Sequence, residues 1–166
     1  MRWNRDYLLR GMLRLTAAVL IIVSASACGI VKDKNGFGSK PPRPTIVVKE
    51  LKNKKVNVYQ SSYCWTKECA DYPRPDMHLK DRKKLAVPPK ATLSFQFPDI
   101  APAEVSISLF LEDDEIQEVQ LTDGSFQTPE KPGVYYFGLN AHWPIQSEIP
   151  NSGYSSSYAF AVEVQE

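Results

Sequence analysis

The chain has 166 residues, of which 43% are hydrophobic and 23% charged, with a formal net charge of +1 at pH 7. A balance so close to neutral excludes the strongly basic footprint of a nucleic-acid binder, and no nucleic-acid partner is expected. Three cysteines and two histidines offer no second Cys or His pair for a zinc site.

The first element in chain order is an apolar run. Arg2, Arg5, Arg10 and Arg14 precede Leu15 to Val23, and the run closes on Ala25-Ser26-Ala27-Cys28. A basic segment, an apolar one and then small side chains is the order of a secretory signal. Thirteen uncharged residues separate Arg14 from Cys28, about 20 Å of helix against a hydrocarbon core of about 30 Å, which is too short for a stable span. Ala25-Ser26-Ala27-Cys28 resembles the lipobox of bacterial lipoproteins, departing from its commonest form at Ala25, where leucine is usual. The resemblance implies removal of residues 1–27, a diacylglyceryl group on the Cys28 thiol and an acyl chain such as palmitate on the new N-terminus. Two acyl chains hold a protein at a membrane where one binds marginally. The expected location is therefore the outer side of the cell membrane, tethered by lipid; the alternative is a plain secretory signal cut after Ala27.

Loss of four arginines and Asp6 with the signal leaves sixteen basic and eighteen acidic residues, a net charge of −2. Residues 28–44, with Lys-Asp-Lys-Asn-Gly-Phe-Gly-Ser-Lys-Pro-Pro-Arg-Pro, supply no core and read as a proline-stiffened linker. Residues 45–166 fit one domain of ordinary size.

Within that domain the apolar period is two. Ile46 to Glu50 and Val56 to Gln60 are short strand candidates, followed by Leu93, Phe95 and Phe97 alternating with Thr92, Ser94 and Gln96. Val105, Ile107, Leu109 and Leu111 alternate with Ser106, Ser108 and Phe110; Ile116 to Leu121 and Ser125 to Thr128 are shorter runs. Tyr135, Phe137, Leu139 and Ala141, then Tyr158, Phe160, Val162 and Val164, complete the pattern. Asn53, Asp113-Asp114, Asp123-Gly124 and Pro129 to Gly133 fall between the runs as turns. Seven or eight such strands predict an antiparallel β-sandwich. Asp76 to Ala86 is expected to be irregular, with at most one helical turn, because Met77, Leu79 and Leu85 form no single stripe.

With Cys28 lipidated, Cys64 and Cys69 remain as a pair in an oxidising compartment and predict a local disulfide in Tyr63-Cys64-Trp65-Thr66-Lys67-Glu68-Cys69. Tyr59, Tyr63, Trp65 and Tyr72 lie in and around it. Either they form an open stacking platform for a sugar, a peptide or a partner surface, or Trp65 folds back as a plug over the sandwich. His142 and Trp143 end the Tyr135 run: alternation turns His142 to solvent and Trp143 toward the core, as a cap or as part of a loop site. Lys52, Lys54 and Lys55, and again Asp81-Arg82-Lys83-Lys84, are either solvated faces or points of attraction for an anionic wall polymer or lipid headgroups. Glu112-Asp113-Asp114-Glu115 reads as a solvated hairpin tip, since consecutive side chains on an extended turn do not converge on one cation.

Gly133-Val134-Tyr135-Tyr136-Phe137 resembles the Gly-x-Tyr corner of immunoglobulin-like domains. The resemblance implies that the Tyr135 hydroxyl bonds back to nearby backbone and that Phe137 stands where those domains carry their second core cysteine. Together with the lipobox, Tyr63-Cys64-Trp65 with Cys69 and Asp71, and Ser157-Tyr158-Ala159-Phe160, it makes the chain similar to a group of Gram-positive surface lipoproteins to which no activity is assigned. No nucleophile motif, metal motif or phosphate loop occurs, so no enzyme and no cofactor is expected. The expected role is a membrane-anchored binding or accessory module at the cell envelope, with a wall polymer, a peptide or an envelope protein as partner. The rivals are an immunoglobulin-like protease inhibitor and a structural subunit of an envelope complex.

Overall fold

The alternating runs become strands because each can turn one apolar face inward, and the two sheets they form close on each other. A computed structural model describes residues 36–98, 100–111, 115–145 and 153–166; Cys28 and the acidic tip at residues 112–114 lie outside these. In chain order the elements are β1 (Thr45–Val48), a 3-10 turn (Lys49–Leu51), β2 (Lys54–Val56), β3 (Val58–Trp65), β4 (Glu68–Ala70), α1 (Pro75–His78) and β5 (Leu85–Val87). There follow β6 (Thr92–Gln96), β7 (Glu104–Phe110), β8 (Ile116–Val119), β9 (Ser125–Gln127), β10 (Gly133–Pro144) and β11 (Gly153–Val164).

One sheet has four strands in the order β2-β1-β6-β9; the other has seven, β4-β3-β11-β10-β7-β8 with β5 beside the end of β11. The pairings are antiparallel except that between β5 and β11. β1, β6 and β9 occupy the A, B and E positions of an immunoglobulin-like sandwich, facing β8, β7, β10 and β11 in the C′, C, F and G positions. The chain departs from the expected seven or eight strands by adding the β2–β4 excursion and the three-residue β5.

The core is aromatic and aliphatic. Phe137 and Phe160 lie opposite each other on β10 and β11 with rings stacked at 5.1 Å, and Phe126 of β9 leans on both. Ile46, Val48, Leu93, Ile107 and Leu139 are fully buried around them. Asp123-Gly124 forms the expected tight turn, with positive φ at both residues and paired bonds between Thr122 and Ser125. Its flanks then part: β8 stays in the larger sheet while β9 crosses to the smaller.

Packing also begins earlier than the predicted domain start at residue 45. Gly36 turns with φ +84, a conformation open to glycine, and sends Phe37 into the core, where it is 8% exposed. The Trp65 indole donates to the Gly38 carbonyl at 2.8 Å, and the Tyr158 hydroxyl donates to the Pro42 carbonyl at 2.6 Å. Residues expected to be linker thus line one end of the sandwich. Burial pushes the Tyr158 phenol up to about 12, against the opposing pull of Ser156 and Arg43. The folded chain holds that proton more tightly than the unfolded chain does, so this contribution is complete below pH 10 and is lost as pH rises through about 12.

Candidate functional site

The disulfide segment is a hairpin and not an open loop. Cys64 and Cys69 are directly opposed on β3 and β4 and are joined by the predicted disulfide. Strand alternation then turns Trp65 to the inner side, where it is 2% exposed. Its ring is enclosed edge-on by Phe37 at 5.6 Å and Trp143 at 5.0 Å, with Tyr154 tilted at 5.0 Å. Tyr63 is half-buried against the same core. Trp143, 1% exposed, caps the core and donates from its indole to the Ile100 carbonyl at 2.9 Å. A stacking platform built on Trp65 or Trp143 is therefore not formed, because both rings are spent on core packing. Tyr135 takes the corner position: its hydroxyl donates to the Lys131 carbonyl at 2.8 Å.

The remaining predicted residues, Tyr72 and His142, lie on the other side of the larger sheet. This outer face divides into two parts. At the Gly153 end, Glu104, Ser106, Asn140, His142, Ser155 and Ser157 line a shallow polar trough of about 470 Å³, with Ser157 donating to the Asn140 side-chain oxygen at 2.7 Å. The His142 ring lies against Gly153, where any Cβ would clash with it and with the Trp143 carbonyl.

The second part is aromatic and cationic. Tyr59 on β3, Tyr136 on β10 and Phe110 on β7 point outward around the small residues Ala159, Ala161 and Gly138. A Cβ on Gly138 would come within 2.9 Å of the Phe110 ring, so absence of a side chain there makes room for that ring, with Pro75 of α1 beside it. Pro75 opens the helix at its first position, where a missing N–H is no loss; Leu79, 1% exposed, closes the contact. Asp76, in the first turn, accepts from Arg74 at 3.2 Å, and no side chain caps the helix.

This covering segment sets cations over the outward rings. Arg82 stands 5.2 Å above Tyr59, Lys84 5.6 Å above Tyr136 and Arg74 5.4 Å above Phe110. His78 meets the edges of Tyr72 at 5.6 Å and Tyr59 at 6.4 Å. Arg74 is ion-paired, whereas among the described residues no carboxylate pairs with Arg82 or Lys84. The surroundings are strongly polarised. Residues 29–90 hold fifteen Lys and Arg against six Asp and Glu, and residues 91–166 hold one against twelve. The first group supplies α1, the segment after it and the β1–β2 turn; the second supplies the lateral edge at β8 and β9, with Glu115, Glu118 and Asp123 exposed.

Tyr136, Phe110 and His78 were not singled out by sequence. Phe110 and Tyr136 sit at outward positions of alternating strands, and a large ring in a polar phase was the signal that marks them. Among the described residues there is no cluster of three or more His, Cys, Asp or Glu able to hold a metal, and no helix long and apolar enough to cross a membrane. His78 and His142 lie on separate parts of the face, so neither pairs with the other as an acid–base couple. Comparison of the chain with protein-family models, with curated proteins and with solved structures finds no match in any of the three. Ring faces and cations without acidic partners thus lie on an open surface, beside a hollow of about 660 Å³ lined by Phe110 and Tyr136 with Asp76 and Glu115, an arrangement that suits adhesion more than enclosure of a small ligand.

Proposed function

We propose that the protein is a lipid-anchored, extracytoplasmic binding module of the cell envelope, which engages its partner through the outer face of the larger sheet and catalyses no reaction. The observation that supports this most directly is the stacking of Arg82 and Lys84 on Tyr59 and Tyr136 without acidic partners. Arg82 is exposed and Lys84 half-buried, so both charges are open to a ligand while ring contacts, and for Lys84 a bond to the Lys80 carbonyl, hold them in place. The lipobox-like Ala25-Ser26-Ala27-Cys28 supports the anchor. The mechanism is presentation: lipid fixes the protein at the membrane, and the sandwich holds the face rigid.

A second reading, a structural subunit of an envelope complex, is favoured by the groove of about 700 Å³ between the edge strands β8 and β9, floored by Phe126, Phe137 and Leu109. The test separates the two. A photoreactive side chain at position 72 or 83 should capture a partner in intact cells, and one at position 127 should not. Capture from position 127 alone would replace the first reading with the second. Cys28→Ala should remove the lipid mass and release the protein from the membrane fraction; an unchanged mass and fractionation would refute the anchor.

A further inference from the structure

Resting on the outer face as the binding surface, we propose that its ligand is a phosphate-bearing polyanionic chain, held by Arg82 and Lys84 as separate phosphate contacts. A cation over a ring face keeps its charge while its side chain is already ordered, so less freedom is lost when an anion arrives. The guanidinium of Arg82 offers a planar fork of donors suited to phosphate oxygens, and Lys84, whose ammonium spends one donor on the Lys80 carbonyl, adds a point charge with its remaining donors. Lys80 and Lys83 are exposed beside them, and Asp81 is the single acid in that stretch.

Spacing argues for a chain and against a lone anion. Tyr59 lies opposite Ala159 on β11, and Tyr136 lies opposite Ala161. The two rings are therefore offset by two residues along the strands and by two strands across the sheet, about 12 Å at standard spacings. One phosphate group does not span that distance, whereas successive phosphates of a polyol-phosphate polymer do. No enclosed pocket surrounds either cation, which again fits a polymer lying along the surface.

Placement argues for a polymer and against the headgroups of the membrane carrying the anchor. The chain enters the sandwich at Phe37, against Trp65 and Tyr154. Lys84 precedes Leu85, which pairs with Val162, eight residues along β11 from Tyr154 and roughly 26 Å away at 3.3 Å per residue. Arg82, over Tyr59 and so level with Ala159, is five residues from Tyr154, roughly 17 Å, and both cations therefore stand well along the strand from the point where the described chain enters.

The mature chain from residue 28, carrying Cys28→Ser so that neither the apolar run nor the lipid is present, would be titrated with soluble poly(glycerol phosphate) and with vesicles containing phosphatidylglycerol, at rising NaCl. The expected result is salt-sensitive binding to the polymer, stronger than to vesicles at matched phosphate. Arg82→Ala with Lys84→Ala should weaken polymer binding at least about tenfold and lower the log–log salt slope by about 1 to 2, or about 0.7–0.9 per lost contact. Lys54→Ala with Lys55→Ala, on β2 of the other sheet, should stay within about twofold of the parent. Unchanged fluorescence of buried Trp65 and Trp143 would certify folding. Equal binding by the Arg82/Lys84 variant, preference for vesicles, or no polymer binding by the parent would each overturn the proposal. A partner captured from position 72 or 83 without polymer affinity would retain the binding face and remove the polyanion.

Discussion

The molecule carries two aromatic clusters of similar make-up on opposite sides of one sheet, and they have been put to different uses. On the inner side Phe37 and Trp143 meet Trp65 edge to face and Tyr154 meets it tilted, all three within 5.6 Å. On the outer side Tyr59, Tyr136 and Phe110 touch cations instead of one another. The inner rings find aromatic partners because the second sheet closes over them. The outer rings are met only by a one-turn helix and its trailing basic segment, too small to bury them. The lesson is that an aromatic residue becomes available for recognition where strand phase turns it to the side that no second sheet covers.

The largest expected effect tests the inner cluster. Trp143→Ala would empty a fully buried site and strand the Ile100 carbonyl, so chemical denaturation should show a loss of about 3–5 kcal/mol; Tyr59→Ala, on the half-covered face, should cost no more than about 1 kcal/mol. Comparable losses at the two sites would erase the distinction. Replacing Cys64 and Cys69 together by Ser removes a short covalent loop at the hairpin that delivers Trp65 to the core, and about 2 kcal/mol should be lost under non-reducing conditions. A loss confined to the oxidised parent, and absent after reduction, is the matching control. The smallest effect is at the corner: Tyr135→Phe deletes one hydrogen bond to Lys131 and should lower stability by about 1 kcal/mol without altering ligand binding. A change in binding would place the β10 entry within the recognition surface and blur the line between the two sides.

How much was legible beforehand varies with the kind of signal. The long alternating runs around Phe95, Ile107, Phe137 and Phe160 read directly as strands, because each buries one phase against the other sheet. The Cys64–Cys69 pairing was legible from its spacing and from the compartment that the signal-like N-terminus led one to expect. Other features were hidden by their partners. β4 and β5 are three residues each and exist because β3 and β11 offer them free edges, which no local pattern reveals. Phe37 sat in a charged, glycine-flanked stretch that resembled a linker, and its role depends on a cavity built by residues 65, 143 and 154. The binding face was half legible. Arg82 and Lys84 stood out as charge and Tyr72 as an aromatic, but the rings beneath the cations come from β3, β7 and β10, brought together only by the sheet order.

The seating of Phe37 has a mechanical consequence. Any tension on the chain upstream of Gly36 is delivered first to one aromatic plug and to the hydrogen bonds that Gly38 and Pro42 accept from Trp65 and Tyr158. Such a fastening peels before β1 is sheared from the sheet. Residues 37–44 would then act as a slack reserve, letting the domain yield by a few nanometres under load while its sandwich stays intact.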